Sequence, residues 1–234
     1  MFIAENIAKL EEQIQKACGS AGRKRDEVTL MGVTKFVSVN RIEEAFSAGI
    51  RYFGESRVKE AAEKFSAFRD DFAGARLHMI GSLQRNKAKQ AMRLFDCIQS
   101  VDRIELVEEL AKHSGMADGS TLRETPLEIL LELHTGEKTK SGFSALDDLF
   151  KAAEILCSCA NLKAAGLMTM APFTKDTDSI RASFRQAVKA RTELEKRFPA
   201  GNWKCLSMGM SNDFETAVEE GSTMLRIGSA VFGD

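Results

Sequence analysis

The sequence lacks the features that mark membrane proteins, secreted proteins and proteins with a broad nucleic-acid surface. None of its apolar runs approaches the roughly 20 residues that span a bilayer. The first residues, MFIAENIAKLEEQIQKACGSAGR, form an amphipathic helical pattern without the basic start and apolar centre of a signal peptide. The formal net charge is −1, which argues against a broad nucleic-acid footprint. We therefore expect a cytoplasmic globular protein that binds neither membranes nor nucleic acid.

Cysteine is sparse, and its spacing does not suit a metal site. The chain has five cysteines, of which Cys18, Cys97 and Cys205 are isolated. Cys157 and Cys159 form a C-x-C pair on a predicted helix, where residues two apart face different directions. No second Cys or His pair at ligand spacing accompanies them. We therefore predict reduced thiols that pack as small apolar groups, and no metal site.

A glycine-rich loop after the first strand is also absent, although short apolar runs alternate with helical patterns along the whole chain. The predicted strands cover residues 28–34, 52–54, 77–80, 97–101, 127–134, 162–168, 204–208 and 223–227. The predicted helices between them cover residues 39–48, 58–68, 87–93, 104–114, 145–158, 178–198 and 213–219. Repeated strand-then-helix order predicts a parallel sheet with both faces covered.

Eight such strands favour an α/β fold of the (β/α)₈ type, a TIM barrel. A doubly wound open sheet is the alternative, and the missing glycine-rich loop weakens a dinucleotide-binding version of it. No shift in composition marks a domain boundary. We predict a single domain over residues 1–234, in which a helix over residues 1–22 packs against the barrel.

Function in such a barrel lies where the strands end, and the last two strand ends offer phosphate-binding groups. The loop SMGMSND follows the seventh strand and the loop RIGS follows the eighth. They supply hydroxyls, a helix cap and glycines for close backbone approach: Ser207, Gly209, Ser211, Gly228 and Ser229. Hydroxyls and helix-start amides hold phosphate well, although serine and glycine also occur as ordinary loop residues.

One lysine, Lys35, directly follows the first strand in the stretch GVTKF. A desolvated lysine has a lowered pKa and can form a Schiff base with an aldehyde. Pyridoxal 5′-phosphate (PLP) carries an aldehyde and a phosphate, the two groups that such a site would hold. The alternative interpretation of Lys35 is a solvated charge at a strand end.

Six stretches of the sequence resemble, in order, the pyridoxal phosphate homeostasis protein family. They are LMGVTKFVSVNRIEEAFSAGIRYFGESRVKEA, HMIGSLQRNK, SVDR, GEKTKSGF, GLMTMAP and LSMGMSNDFETAVEEGSTMLRIGSAVFG. The resemblance runs from about the first strand to the last residue. It implies one barrel like the N-terminal domain of alanine racemase, with PLP as cofactor. We expect a monomer, since a complete barrel could function as a single chain. It also implies a role in intracellular PLP homeostasis, with PLP-dependent apo-enzymes as transient recipients.

The resemblance also assigns individual residues. Lys35 matches the lysine that holds PLP as a Schiff base, and Arg226 matches the arginine that faces the pyridine nitrogen. The positions around the cofactor phosphate are matched by Ser207, Met208, Gly228 and Ser229. A guanidinium can only donate, so Arg226 would keep the ring nitrogen unprotonated and disfavour strong carbanion chemistry.

The sequence departs from the family pattern on the ring side of the expected site. Ser56 stands where an asparagine commonly follows the glutamate of the second-strand loop, so Ser56 is a candidate contact near the ring. Ser82 stands where histidine is frequent, and His134 lies where the family often has an asparagine-containing strand end. These departures leave the predicted lysine and phosphate positions unchanged.

Two further absences bear on catalysis. Racemisation needs acid–base groups on both faces of the substrate, and in alanine racemase the second is a tyrosine from the partner subunit. This chain has a single tyrosine, Tyr52, in the second strand, and the sequence ends directly after the last barrel segment. We therefore expect a PLP-binding protein without strong catalytic activity, with a PLP-dependent racemase as the alternative. A third interpretation, a cofactor-free isomerase, would need Glu55 as its base.

Overall fold

A computed structural model describes residues 2–65, 72–115, 125–136 and 141–233 of the chain. Eight parallel strands in these residues form a closed barrel in chain order. They are β1 (Thr29–Val33), β2 (Tyr52–Glu55), β3 (Arg76–Met79), β4 (Cys97–Val101), β5 (Leu127–Leu133), β6 (Leu162–Thr169), β7 (Cys205–Ser207) and β8 (Met224–Ile227). The predicted (β/α)₈ barrel is confirmed, and the open doubly wound sheet is excluded.

Helices surround this barrel. They are α1 (Ile3–Ser20), α2 (Val39–Ser47), α3 (Val58–Phe65), α4 (Ala88–Leu94), α5 (Ile104–Ser114), α6 (Leu146–Ser158), α7 (Thr177–Arg197), α8 (Phe214–Glu219) and α9 (Ser229–Phe232). Short 3₁₀ turns lie at Arg25–Glu27 and Arg85–Lys87. In the part of the chain that the structure describes, none of the helices combines the length and apolar character needed to cross a membrane.

Apolar side chains pack in two places, as a barrel of buried strands requires. The larger cluster lies between the strands and the surrounding helices. A smaller, separate cluster contains residues of β4, β5 and β6: Cys97, Leu130, Ala165 and Met168. Two of the five cysteines, Cys97 and Cys205, thus pack among apolar side chains as small groups.

The barrel closes between its first and last strands. Met31 of β1 is paired with Arg226 of β8, and Gly32 with Ile227. Residues from the two ends of the chain therefore become neighbours at the carboxyl ends of the strands.

The N-terminal helix α1 packs against α8 and α9. The side-chain amide of Asn6 donates to the carbonyl of Val231 at 3.1 Å. After the helix, Arg23 donates to the carbonyls of Val218 and Ser222 at 2.8 Å each. The helix predicted over residues 1–22 thus lies on the outside of the barrel beside the last two helices.

Candidate functional site

A cavity of about 1230 Å³ opens at the carboxyl ends of the strands. Its volume is above the range of a typical small-molecule site, about 300–1,000 Å³. Five of the predicted site residues line it: Lys35, Ser56, Arg226, Gly228 and Ser229. The fold thus brings the loop after β1 together with the end of β8.

Lys35 lies in an exposed position at the rim of this cavity, one residue after the fully buried Thr34. Within the described ranges, its ammonium group has neither a hydrogen-bond acceptor nor an ion-pair partner. The side chain of Lys35 is therefore not held by another described residue, and it borders the cavity.

Arg226 lies deeper, in β8, where only 5% of its surface is exposed. Its guanidinium donates to the Ser207 hydroxyl at 2.7 Å and to the Thr169 carbonyl at 2.9 Å. Burial lowers the pKa of Arg226 to about 10, a change that nearby carboxylates including Asp213 and Glu132 oppose. The group therefore remains a cation at neutral pH.

A chain of hydrogen bonds continues from Arg226 into the barrel. The Ser207 hydroxyl donates to Gln99 Oε1 at 2.6 Å, and Gln99 Nε2 lies 2.8 Å from His78 Nδ1. An amide NH₂ only donates, so Nδ1 of His78 accepts and its proton lies on Nε2. That Nε2 is buried and has no partner among the described residues. Burial, with a smaller effect of Arg76, lowers the pKa of His78 to about 3, so the ring is neutral.

Two predicted site residues, Ser207 and Met208, are fully buried and are absent from the described lining of the cavity. The Ser207 hydroxyl is occupied by Arg226 and Gln99. The amide of Met208 donates to the carbonyl of Met224 at 3.1 Å. The donors of both residues are therefore already used within the protein.

The loops after β7 and β8 meet beside the cavity. Gly209 has a φ of +100°, which favours glycine, and its carbonyl accepts from the Arg226 amide at 3.0 Å. Ser229 donates to the Ser211 hydroxyl at 3.1 Å across the two loops. A Cβ added at Gly228 would meet no heavy atom closer than 3.6 Å. This corner of the cavity thus has hydroxyls and open space beside a glycine.

Sequence reasoning missed Glu132, a carboxyl in the cavity wall. Glu132 is 3% exposed, lines the cavity, and accepts from the Ser141 hydroxyl at 2.8 Å. Burial raises its pKa, and the bond from Ser141 partly opposes this. It lies on β5, four strands from β1 in either direction around the barrel, so it faces Lys35 across the mouth. The available signal was a pair of glutamates, Glu128 and Glu132, within the strand LEILLEL, whose other residues are apolar.

Tyr52 lies away from the cavity. It is the first residue of β2, at the amino end of the barrel, and its ring is 5.6 Å from the ring of His78. Lys35 follows the carboxyl end of the neighbouring strand β1. The single tyrosine of this chain is thus separated from Lys35 by the length of the barrel.

Comparisons of this chain with a family model and with known proteins agree with one another. Residues 6–234 match the model of the alanine racemase N-terminal domain. The chain is 35% identical to the pyridoxal phosphate homeostasis protein of Aquifex aeolicus, over 100% of this chain and 99% of that protein. It is also 35% identical to the protein of the same description from Vibrio cholerae, over 99% and 96% of the two chains.

A solved structure, PipY of Synechococcus elongatus with PLP bound, is similar over nearly the whole chain. The TM-score is 0.83 at 33% sequence identity, and the match covers 99% of this chain and 100% of that one. The resemblance inferred from the motifs is confirmed. The chain belongs to the pyridoxal phosphate homeostasis protein family.

Proposed function

We propose that this protein binds PLP, holds it as a Schiff base on Lys35, and serves intracellular PLP homeostasis without strong catalytic activity. The observation that carries the proposal is the free ammonium of Lys35 at a cavity that also contains the buried cation of Arg226. When bound, PLP supplies an aldehyde for the amine and a phosphate for the loop corner. A PLP-bound relative of 33% identity supports this assignment.

The described residues fit both the aldehyde and the phosphate of PLP. Lys35 would hold the aldehyde carbon, while Gly228 and Ser229 would hold the phosphate where the last two loops meet. Ser56 lines the cavity on the β2 side and would lie near the ring. Ser207 and Met208 would act through the loop that they begin, because their own donors are already used.

The proposed lack of strong catalysis depends on Arg226. A guanidinium with a pKa of about 10 remains protonated at neutral pH and offers the ring nitrogen donors only. The ring nitrogen would stay unprotonated, and the ring would be a weak electron sink. Lys35 would then hold the cofactor and make its aldehyde available to transient recipients, the PLP-dependent apo-enzymes.

One observation favours a second function, amino-acid racemisation. Glu132 places a buried carboxyl across the cavity from Lys35, and racemisation needs a second acid–base group on the far side of the substrate. Burial raises the pKa of Glu132, which favours the protonated carboxyl that could give a proton to a substrate. Against this function stand Arg226 and the distant Tyr52.

The third interpretation, a cofactor-free isomerase with Glu55 as its base, has little support. Glu55 is fully buried and is absent from the described lining of the cavity. Its Oε1 accepts from Thr34 at 2.7 Å and from Lys64 at 3.0 Å. A base held in this way does not reach a substrate in the cavity.

Spectroscopy and trapping test the proposal. We expect added PLP to give a visible absorption band, and borohydride to fix the cofactor on the peptide that contains Lys35. Lys35→Ala is expected to abolish both signals, while the matched variant Lys59→Ala on the exposed face of α3 keeps them. Trapping on another lysine, or no band in the wild type, would refute the assignment. Turnover of alanine enantiomers at several per second that is lost in Glu132→Gln would establish the racemase instead.

A further inference from the structure

Three charged side chains from β2 and α3 hold the turn that carries Lys35. The ammonium of Lys64 donates to the Thr34 carbonyl at 2.7 Å, to Glu55 Oε1 at 3.0 Å and to Glu60 Oε1 at 2.7 Å. An ammonium has three protons, so all of its donors are used. We call Glu55, Glu60 and Lys64 the charged cluster.

The charged cluster anchors the backbone on both sides of Lys35. Before it, Thr34 is bound through its carbonyl and also through its hydroxyl, which donates to Glu55 Oε1 at 2.7 Å. After it, the amide of Phe36 donates to Glu60 Oε1 at 2.9 Å. Lys35 thus lies between two fixed residues while its own ammonium is free of the cluster.

The backbone after Lys35 adopts a conformation that needs such support. Phe36 has a φ of +63°, in the left-handed region that is strained for a residue other than glycine. Its side chain is 77% exposed, so burial of the ring does not hold it in place. The bond from its amide to Glu60 stabilises this conformation. The Val37 amide also donates to the Thr34 carbonyl at 3.0 Å, and the Arg57 guanidinium lies 5.7 Å from the centroid of the Phe36 ring.

The burial of the charged cluster makes its bonds effective. The side chains of Glu55, Lys64 and Glu60 are 0%, 13% and 21% exposed. Water and salt therefore screen these ion pairs less than they screen a surface pair. In contrast, Lys59 and Glu63 on the same helix α3 are 89% and 65% exposed and lie 3.9 Å apart.

We infer that Glu60 and Lys64 are positioning residues for Lys35, fixing the turn so that the Lys35 amine is presented to the cavity before any ligand arrives. The inference rests on the proposed function of Lys35 as the PLP-binding lysine. A preorganised amine loses less conformational entropy on binding. Loosening the turn should therefore weaken PLP binding without changing any group that touches PLP.

Three substitutions test this inference. Glu60→Ala removes the bonds to both the Phe36 amide and Lys64, whereas Glu60→Gln keeps an acceptor oxygen in place. Glu63→Ala is the matched control, since it removes a carboxylate from the same helix at an exposed pair. We expect about tenfold weaker PLP binding for Glu60→Ala, a partial recovery for Glu60→Gln and no change for Glu63→Ala.

Hydrogen exchange of the Phe36 amide in cofactor-free protein gives a second readout that does not depend on PLP. Exchange should be faster in Glu60→Ala than in wild type, and unchanged in Glu63→Ala. The inference fails if Glu60→Ala binds PLP as wild type does, or if Glu63→Ala weakens binding equally. If Glu60→Ala does not fold, Thr34→Val decides the question, because it removes the hydroxyl bonds to Glu55 and to the Gly54 carbonyl and keeps the side-chain shape.

The two proposals fail in different ways. Wild-type protein that does not bind PLP on Lys35 would refute the proposed function, whatever the exchange rates are. If the wild type binds PLP on Lys35 and Glu60→Ala binds PLP equally well, only the positioning role is refuted.

Discussion

The guanidinium of Arg226 donates to the hydroxyl of Ser207 at 2.7 Å, and this bond lies inside the barrel below the cavity. The Ser207 hydroxyl in turn donates a hydrogen bond to Gln99 Oε1 at 2.6 Å. Ser207 thus links the buried cation to the interior of the barrel, whereas Ser229 is exposed in the loop corner proposed for the phosphate.

This geometry predicts that the two serines differ when each is replaced by alanine. Ser207→Ala leaves a buried guanidinium and a buried amide with unmet bonds, so the free energy of unfolding should fall by about 1–3 kcal/mol. Ser229→Ala should change it by less than about 0.5 kcal/mol but weaken PLP binding. Urea unfolding and PLP titration measure the two effects. The opposite ranking in PLP affinity would place the Ser207 hydroxyl at the phosphate.

Gly209 and Gly228 should also respond differently to alanine. A Cβ at Gly209 would lie 2.6 Å from Ala217 Cβ and 2.8 Å from Leu225 Cδ2, at a φ of +100°. We expect Gly209→Ala to lower the free energy of unfolding by about 2 kcal/mol or more. Gly228→Ala makes no such contact, so its free energy of unfolding should stay near that of the wild type. The added methyl group should still reduce the space in the corner proposed for the phosphate. Equal stability of the two variants would contradict this prediction.

His78 should make stability fall at mildly acidic pH. Its pKa is about 3 in the folded chain, against an ordinary value of 6.5, so the unfolded chain binds more protons between these values. The neutral His78 ring contributes fully to the free energy of unfolding above pH 6.5, and this contribution is lost as the pH falls toward 3. Between pH 7.5 and pH 5.5 the loss should be about 1.4 kcal/mol.

Comparison with His78→Asn isolates this contribution, since the Asn oxygen can accept from Gln99 but does not titrate. Burial raises the pKa of Glu55 and of Glu132. Protonation of these carboxyls at low pH therefore increases the free energy of unfolding, which is the opposite of the effect of His78. These carboxyls are the same in both proteins, so their contribution cancels in the difference. Equal acid sensitivity of wild type and His78→Asn in urea unfolding would show that His78 is not the titrating group.

The barrel could be predicted from the sequence because parallel strands that are buried on both faces appear as short runs of apolar residues. The seventh strand, predicted over residues 204–208, is Cys205–Ser207, and the fourth, predicted over residues 97–101, is Cys97–Val101. Helix α9 (Ser229–Phe232) was missed because one turn of apolar residues has no readable helical period. Two segments rich in Gly, Ser and Thr, residues 114–126 and 135–143, are predicted to be irregular. Residues 116–124 and 137–140 of these segments lie outside the described residues.

The site was less predictable, because it depends on which way side chains point and on contacts between distant parts of the chain. The position of Lys35 at a strand end could be inferred, since the carboxyl ends of the strands form the functional face. The bond between Lys64 and Thr34 joins residues 30 positions apart, and that between Ser207 and Gln99 joins residues 108 positions apart. No local pattern encodes either pairing.

The pairing of β1 with β8 has a consequence for protein synthesis. Lys35 is translated early and Ser229 late, and the two come together only when the last strand closes beside the first. A nascent or truncated chain would carry the lysine proposed to bind PLP but not the neighbouring corner proposed for the phosphate. Retention of the cofactor would therefore report that translation and closure are both finished, so unfinished copies would not deplete the cellular supply.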